Sequence, residues 1–144
     1  MPDAKSPYCN CLYHAANAMA RSITRLADEE FAKAGLSPTQ AFILMSVVRS
    51  PGIGAGDIAR EVELKPSTIT RMLDKLEESD LVTRSSEGKS VRVYPTPAAL
   101  GTEQAIKTAW GRLYARYSNV LGKEKGASLA RDLTSASGRL DRAS

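Results

Sequence analysis

From Leu12 the apolar residues Ala16, Met19, Ile23 and Leu26 follow in steps of four, three, four and three. That spacing draws one stripe along a helix. It predicts a long first helix closing near Ala34-Gly35, where glycine accepts the left-handed conformation that ends helices. Ser37-Pro38-Thr39-Gln40 reads as a capping box, with serine as N-cap, proline at the first helical position and glutamine reaching back. The second helix then runs to about Ser50, where Pro51-Gly52 stops it. Gly52-Ile53-Gly54-Ala55-Gly56 is expected as a loop, followed by a short helix over residues 57–62 and the hinge Glu63-Leu64. Pro66 starts another helix, predicted to end at Glu78, whose inward stripe is Ile69, Leu73 and Leu76 with Met72.

Two short helices across a tight connection make a helix-turn-helix pattern. The β-branched runs Leu81-Val82-Thr83-Arg84 and Ser90-Val91-Arg92-Val93-Tyr94, parted by a polar turn at residues 85–89, predict a β-hairpin. Thr96-Pro97 opens a fifth helix striped by Ile106, Ala109, Leu113, Tyr117 and Val120, with Trp110 beside it. After Gly122 a sixth helix, from residue 123 to about 142, carries Leu129, Leu133, Ala136 and Leu140. The expected fold is mainly α with a small β-hairpin wing. A winged helix-turn-helix at 37–95 is flanked by helices at 8–35 and 97–142, in one folding unit across residues 1–144. The winged helix can close its core with the middle of the chain alone, so the terminal helices need another partner. A second copy suits them best, which makes them dimerisation helices.

Composition sharpens this picture only in part. With 42% hydrophobic, 25% charged and 6% aromatic residues, the 144-residue chain has the profile of a soluble helical protein. Its longest apolar stretches, such as Ala41-Phe42-Ile43-Leu44-Met45, fall far short of the roughly 20 residues of a membrane span. The start, Met1-Pro2-Asp3-Ala4-Lys5-Ser6-Pro7, is polar rather than the apolar core of a signal peptide, and the cytoplasm is the expected location. One histidine, no nucleophile elbow, no metalloprotease helix and a Gly52–Gly56 run without the lysine of a phosphate loop argue against an enzyme, and no cofactor is expected.

The net charge of +4 is compatible with a polyanion, but from Arg60 to Arg92 seven basic residues face seven acidic ones. A nucleic-acid interface therefore requires the two signs to fall on different faces. With Ile69, Leu73 and Leu76 turned inward, a helical period leaves Ser67, Thr68, Arg71 and Lys75 outward. Short hydroxyls near a helix start and a forked arginine are the groups that read base edges in a major groove. Ser67 and Thr70, with Lys65 just before the helix, could hold phosphates beside the N-terminal amides. Arg84, Lys89 and Arg92 would reach backbone or minor groove from the wing. The plain alternative is a solvated helix surface, or a winged helix that binds protein, favoured if Arg71 and Lys75 are buried or paired with acids.

Cys9, Cys11 and His14 open a separate question. The cysteines could pack as small hydrophobes, sense oxidants from the start of a helix, or bind a metal with His14, although C-x-C with one histidine supplies only three ligands.

The block from Leu36 to Tyr94, with Asp57-Ile58-Ala59-Arg60-Glu61, Pro66-Ser67-Thr68-Ile69-Thr70-Arg71, Leu76-Glu77 and Leu81-Val82-Thr83-Arg84, resembles the MarR family of bacterial regulators. The resemblance extends through the flanking helices. It implies a triangular homodimer that binds a pseudo-palindrome in double-stranded DNA, with recognition helices about one duplex turn apart. It also implies release by a small effector, small aromatic molecules included. Where the family carries an Asp-x-Arg-type wing turn, this chain has Glu87-Gly88-Lys89, a point charge in place of a fork. Cys9, with Leu12, Tyr13 and Ala15, resembles the start of the organic-hydroperoxide-sensing branch, which implies Cys9 as the reactive thiol. Pro38 stands where that branch has a tyrosine.

Overall fold

The computed structural model describes residues 5–144, and the polar residues 1–4 lie outside it. Its elements are α1 (Leu12–Ala32), α2 (Pro38–Arg49), β1 (Ile53–Gly54), α3 (Ala55–Val62), α4 (Pro66–Glu78), β2 (Val82–Glu87), β3 (Ser90–Pro95), α5 (Pro97–Leu121) and α6 (Lys123–Ala143). They pack as two compact units, one of residues 28–110 and one formed by the chain up to Ala27 together with 111–144.

In the 28–110 unit the local signals do what their chemistry predicts. Gly35 takes φ +77 after α1, with Gly35 N–H bonded to Ala32 and Leu36 N–H bonded to Phe31, so glycine closes the helix in the Schellman manner. Ser37 Oγ accepts from Gln40 N–H and Gln40 Oε1 accepts from Ser37 N–H, the reciprocal capping box. The same Schellman closure ends α3 and α4, but there Glu63 (φ 56) and Asp80 (φ 58) supply the left-handed residue. A side chain at that φ carries strain, offset here by the bonds Leu64 N–H to Ala59 and Leu81 N–H to Leu76.

The three-stranded antiparallel sheet has the order β1-β3-β2. β1 was expected as loop. Two residues are too few to show a period, and their pairing, Ile53 with Val93 and Gly54 with Arg92, spans forty positions that no local pattern reports. α3 accordingly starts at Ala55, with Gly54 as N-cap. The hairpin is also tighter than its polarity suggests. Ser85, Ser86 and Glu87 are strand, paired with Arg92, Val91 and Ser90, so only Gly88 and Lys89 form the turn. This ribbon is solvated on both faces, which leaves it nothing apolar to alternate. Gly88 has φ +62, as the first central position of a type II′ turn requires.

Phe31, Ile43, Leu44, Val47, Ile58, Ile69, Leu73, Leu76, Val82, Val93 and Ile106 are fully buried and form the core of this unit. Thr96 ties the hairpin's base to α4's end: its Oγ donates to Asp80 O at 2.6 Å and its N–H to Leu81 O at 3.1 Å, while its Oγ accepts from Ala99 N–H at 3.3 Å to start α5.

The second unit is thinner. Ala27, Leu113 and Gly126 are buried, and a Cβ on Gly126 would sit 3.2 Å from the Tyr117 ring, which would have to shift by a few tenths of an ångström to admit it. An apolar recess of about 330 Å³ opens among Met19, Ile23, Tyr117, Leu121, Leu129 and Leu133. Leu12, Tyr13, Val120 and Leu140 are exposed nearby in the sequence of the same helices. Among the described residues no helix is long and apolar enough to cross a membrane.

Candidate nucleic-acid interface

α4 begins with Lys65 as an extended N-cap whose side chain makes no capping bond, and with Pro66 at the first helical position. The first turn contains no acid. Pro66 has no N–H and Thr68 N–H bonds Lys65 O at 3.0 Å, so in the first turn the Ser67 amide, at the positive end of the helix dipole, is left for an outside anion. Ile69, Leu73 and Leu76 are each 1% exposed. Burial of three large side chains, worth about 1.5–3 kcal/mol each, locks the rotation of the helix. Ser67, Thr70, Arg71 and Lys75 consequently face solvent, with Lys65 exposed ahead of them and Thr68 half-buried. Arg71 Nη2 lies 3.4 Å from Thr68 Oγ1. Thr70 Oγ1 donates to Pro66 O at 3.1 Å, committing its proton inward and leaving its lone pairs outward.

Part of the charge that looked balanced along the chain is paired in space. Arg84 Nη2 contacts Asp74 Oδ1 at 2.7 Å and Glu77 Oε1 at 2.6 Å, and its Nε reaches Glu77 Oε1 at 3.2 Å. The hydrogen bonds to Glu77 and then to Asp74 push the Arg84 guanidinium above its ordinary alkaline range, against a smaller opposing effect of burial. Arg60 pairs with Asp57, Arg49 with Glu61, and Arg92 Nε with Glu87 at 3.7 Å. Lys65, Arg71, Lys75 and Lys89 form no ion pair among the described residues. Asp74, Glu77 and Glu87 are thus tied up by the wing arginines, while Glu63, Glu78 and Asp80, like the cations of the exposed face, form no ion pair among the described residues. The burial or acid pairing that would favour a protein-binding winged helix is absent from Arg71 and Lys75.

Of the wing residues expected to meet DNA, the structure places only Lys89 freely, at the hairpin tip. Arg84 spans from β2 to α4, and Arg92, half-buried between β1 and β2, also reaches Gly52 O at 3.4 Å. The sequence alone gives Asp74 and Glu77 no partner. Their three-residue spacing puts both on one side of the helix, but the arginine they hold lies on another element, which spacing alone does not reveal.

In the other unit, Cys9 and Cys11 are free and exposed in a turn ahead of α1, not in its packed interior. Cys9 N–H bonds Ser6 O at 3.1 Å, Cys11 N–H bonds Tyr8 O at 2.9 Å, and Cys11 O receives Ala15 N–H at 2.9 Å as the helix begins. The His14 ring packs against Tyr8, with centroids 5.8 Å apart. Packing inside the chain is therefore not the role of either thiol. No three groups among the described residues converge as metal ligands.

A protein-family model, the MarR family, matches residues 36–93. The HTH-type transcriptional repressor MdtR of Bacillus subtilis (strain 168) is 37% identical over 102 residues, 67% of this chain and 64% of that protein. The chain belongs to the MarR family. It spans about 64% of the length of this curated relative. Three solved structures of two transcription regulators share its fold. The M. tuberculosis regulator MosR in complex with DNA superposes with a TM-score of 0.81 at 18% identity, over 93% of this chain and 98% of that one. The repressor CouR bound to a 23-mer duplex gives 0.82 at 21% over 92% and 97%, and its complex with p-coumaroyl-CoA gives 0.83 at 20% over 94% and 98%. The MarR wing here, of three strands, and its six helices match the expected winged-helix class.

Replacing Arg84 by Met keeps an apolar stem but removes both charge-assisted contacts. We expect a loss of about 1 kcal/mol in urea unfolding, moderate because both carboxylates are solvent-accessible, with faster amide exchange over residues 82–95. Unchanged stability and exchange would show that Arg84 does not hold the wing.

Proposed function

We propose that this chain is a sequence-specific, double-stranded-DNA-binding transcription regulator, a repressor acting in the cytoplasm as a homodimer on a pseudo-palindromic operator. One observation carries the reading: α4 presents Ser67, Thr70, Arg71 and Lys75 to solvent, free of acidic partners, from a helix locked by its buried stripe. A major groove admits one such helix. Arg71 can fork onto guanine, and Ser67 and Thr68 lie at the N-terminal end that reaches base edges. Lys65, Thr70 and Lys75 are assigned to phosphates, with the Ser67 N–H at the start of α4, and Lys89 to the backbone beside the wing.

The helices of the second unit support the homodimer. Leu12, Tyr13, Val120 and Leu140 are 67%, 79%, 80% and 62% exposed, and Leu133 is 44% exposed at the rim of the apolar recess. A two-fold related copy of the same surface is self-complementary and covers these residues without a different partner.

For release from DNA, the exposed Cys9 and Cys11 support a thiol switch. A hydroperoxide oxidises the Cys9 thiolate to the sulfenic acid and leaves as the alcohol, and DNA affinity falls. CouR, solved with p-coumaroyl-CoA, supports a small aromatic effector as the second form of release.

Selection from randomised duplexes tests the DNA reading, with enrichment of a two-fold motif expected. Arg71→Ala should lose about 1–3 kcal/mol of discrimination at one base position per half-site, and an unchanged gel shift on the selected site would remove Arg71 from that role. Leu133→Asp should convert the dimer to a monomer in light scattering, and a dimer of unchanged mass would place the interface elsewhere. With cumene hydroperoxide, the wild type should release its duplex and Cys9→Ser should not; a Ser variant that still lets go would mean the switch lies at another group.

A further inference from the structure

We infer that the wing of this chain contributes affinity but no sequence discrimination, with Lys89 as its one phosphate contact and the operator's information confined to the bases read by α4. This rests on the DNA-binding reading above and adds a division of labour within it.

The wing carries three cations that could meet a duplex: Arg84, Lys89 and Arg92. A narrow A·T minor groove is read best by a guanidinium that can leave the protein and enter the groove, because it gives up its hydration more readily than an ammonium does. Neither arginine is placed for this. Arg84 is held by Asp74 and Glu77 at 2.7 and 2.6 Å, its side chain 24% exposed, at the end of the hairpin next to α4. Leaving would strand two carboxylates beside the DNA-facing helix, where they would repel phosphate. Arg92 lies in mid-sheet opposite Ser85 and Gly54 rather than at the tip, its side chain 42% exposed and its guanidinium 3.7 Å from Glu87 Oε2 and 3.4 Å from Gly52 O.

The tip itself is Gly88-Lys89, exposed and without an ion pair among the described residues. A two-residue type II′ turn is short and stiff, so the tip offers a single side chain. Lysine delivers a compact, strongly hydrated point charge that is satisfied by any phosphate oxygen and has no planar fork for a base edge. Such a contact adds counterion release, which is independent of sequence.

The test is parallel selection from randomised duplexes, at several salt concentrations, with wild-type protein, Lys89→Ala and Lys89→Arg. The wild type is expected to enrich a two-fold motif with no base preference in the flanks the wings would cover. Lys89→Ala should keep the same motif, weaken all sequences alike by about eightfold per lost contact near 0.1 M salt, and lower the salt slope by about one per lost contact. Lys89→Arg should gain an A·T preference in the flanks. A wild-type flank preference that vanishes in Lys89→Ala overturns the inference, as does a Lys89→Ala protein with unchanged affinity and slope, or a Lys89→Arg protein whose flanks stay featureless. A wild type that retains no duplex overturns the DNA-binding reading itself, and this inference with it.

Discussion

The burial of Ile69, Leu73 and Leu76 is the constraint on which the candidate interface depends. A helix of this length is not stable on its own in water, and it forms here because one stripe closes over the core made by Ile43, Leu44, Ile58, Val82 and Val93. Once that stripe is in place, the rotation of α4 is no longer free. The side chains a helical period puts opposite the stripe must face out. Arg71 and Lys75 are presented to solvent because three leucine-sized groups on the other side have nowhere else to go.

Charge is arranged around the same helix by a second device. A segment with equal numbers of acids and bases is a poor ligand for DNA if its charges are mixed at random. Here Asp74 and Glu77 are consumed by Arg84, Asp57 by Arg60, Glu61 by Arg49 and Glu87 by Arg92. These five acids are thereby paired within the protein, while Glu78 stays exposed at the C-terminal end of α4. The arginines that do this also join elements distant in sequence, Arg84 from β2 to α4 and Arg49 from α2 to α3. Lysines and Arg71 keep their charge outward. Tying the wing to α4 and pairing Asp74 and Glu77 are one arrangement, since Arg84 does both.

The terminal helices obey a different logic. They bury little: Ala27, Leu113 and Gly126, with the Tyr117 ring closed down on Gly126. Their remaining apolar residues line an open recess or stand in solvent, a cost in water that nothing within the unit removes. The exposed thiols of Cys9 and Cys11 belong to this unit, in a turn fixed by backbone bonds to Ser6 and Tyr8.

Periodicity, capping and turn chemistry act within a few residues, and whatever depended on them was determined by the sequence alone. The six helices, the capping box at Ser37, the closure at Gly35, the hairpin and the outward placement of Arg71 and Lys75 are of this kind. The pairing of Ile53 with Val93 is not, because a two-residue strand has no period and its partner lies forty positions away. Nor is the extension of β2 through Ser85, Ser86 and Glu87, where a ribbon wet on both faces has no apolar alternation to betray it. The roles of Arg84 and Arg92 were decided only in three dimensions. A charged side chain in a sequence has no stated partner, and whether it meets a phosphate or a carboxylate of its own chain depends on which elements the core brings side by side.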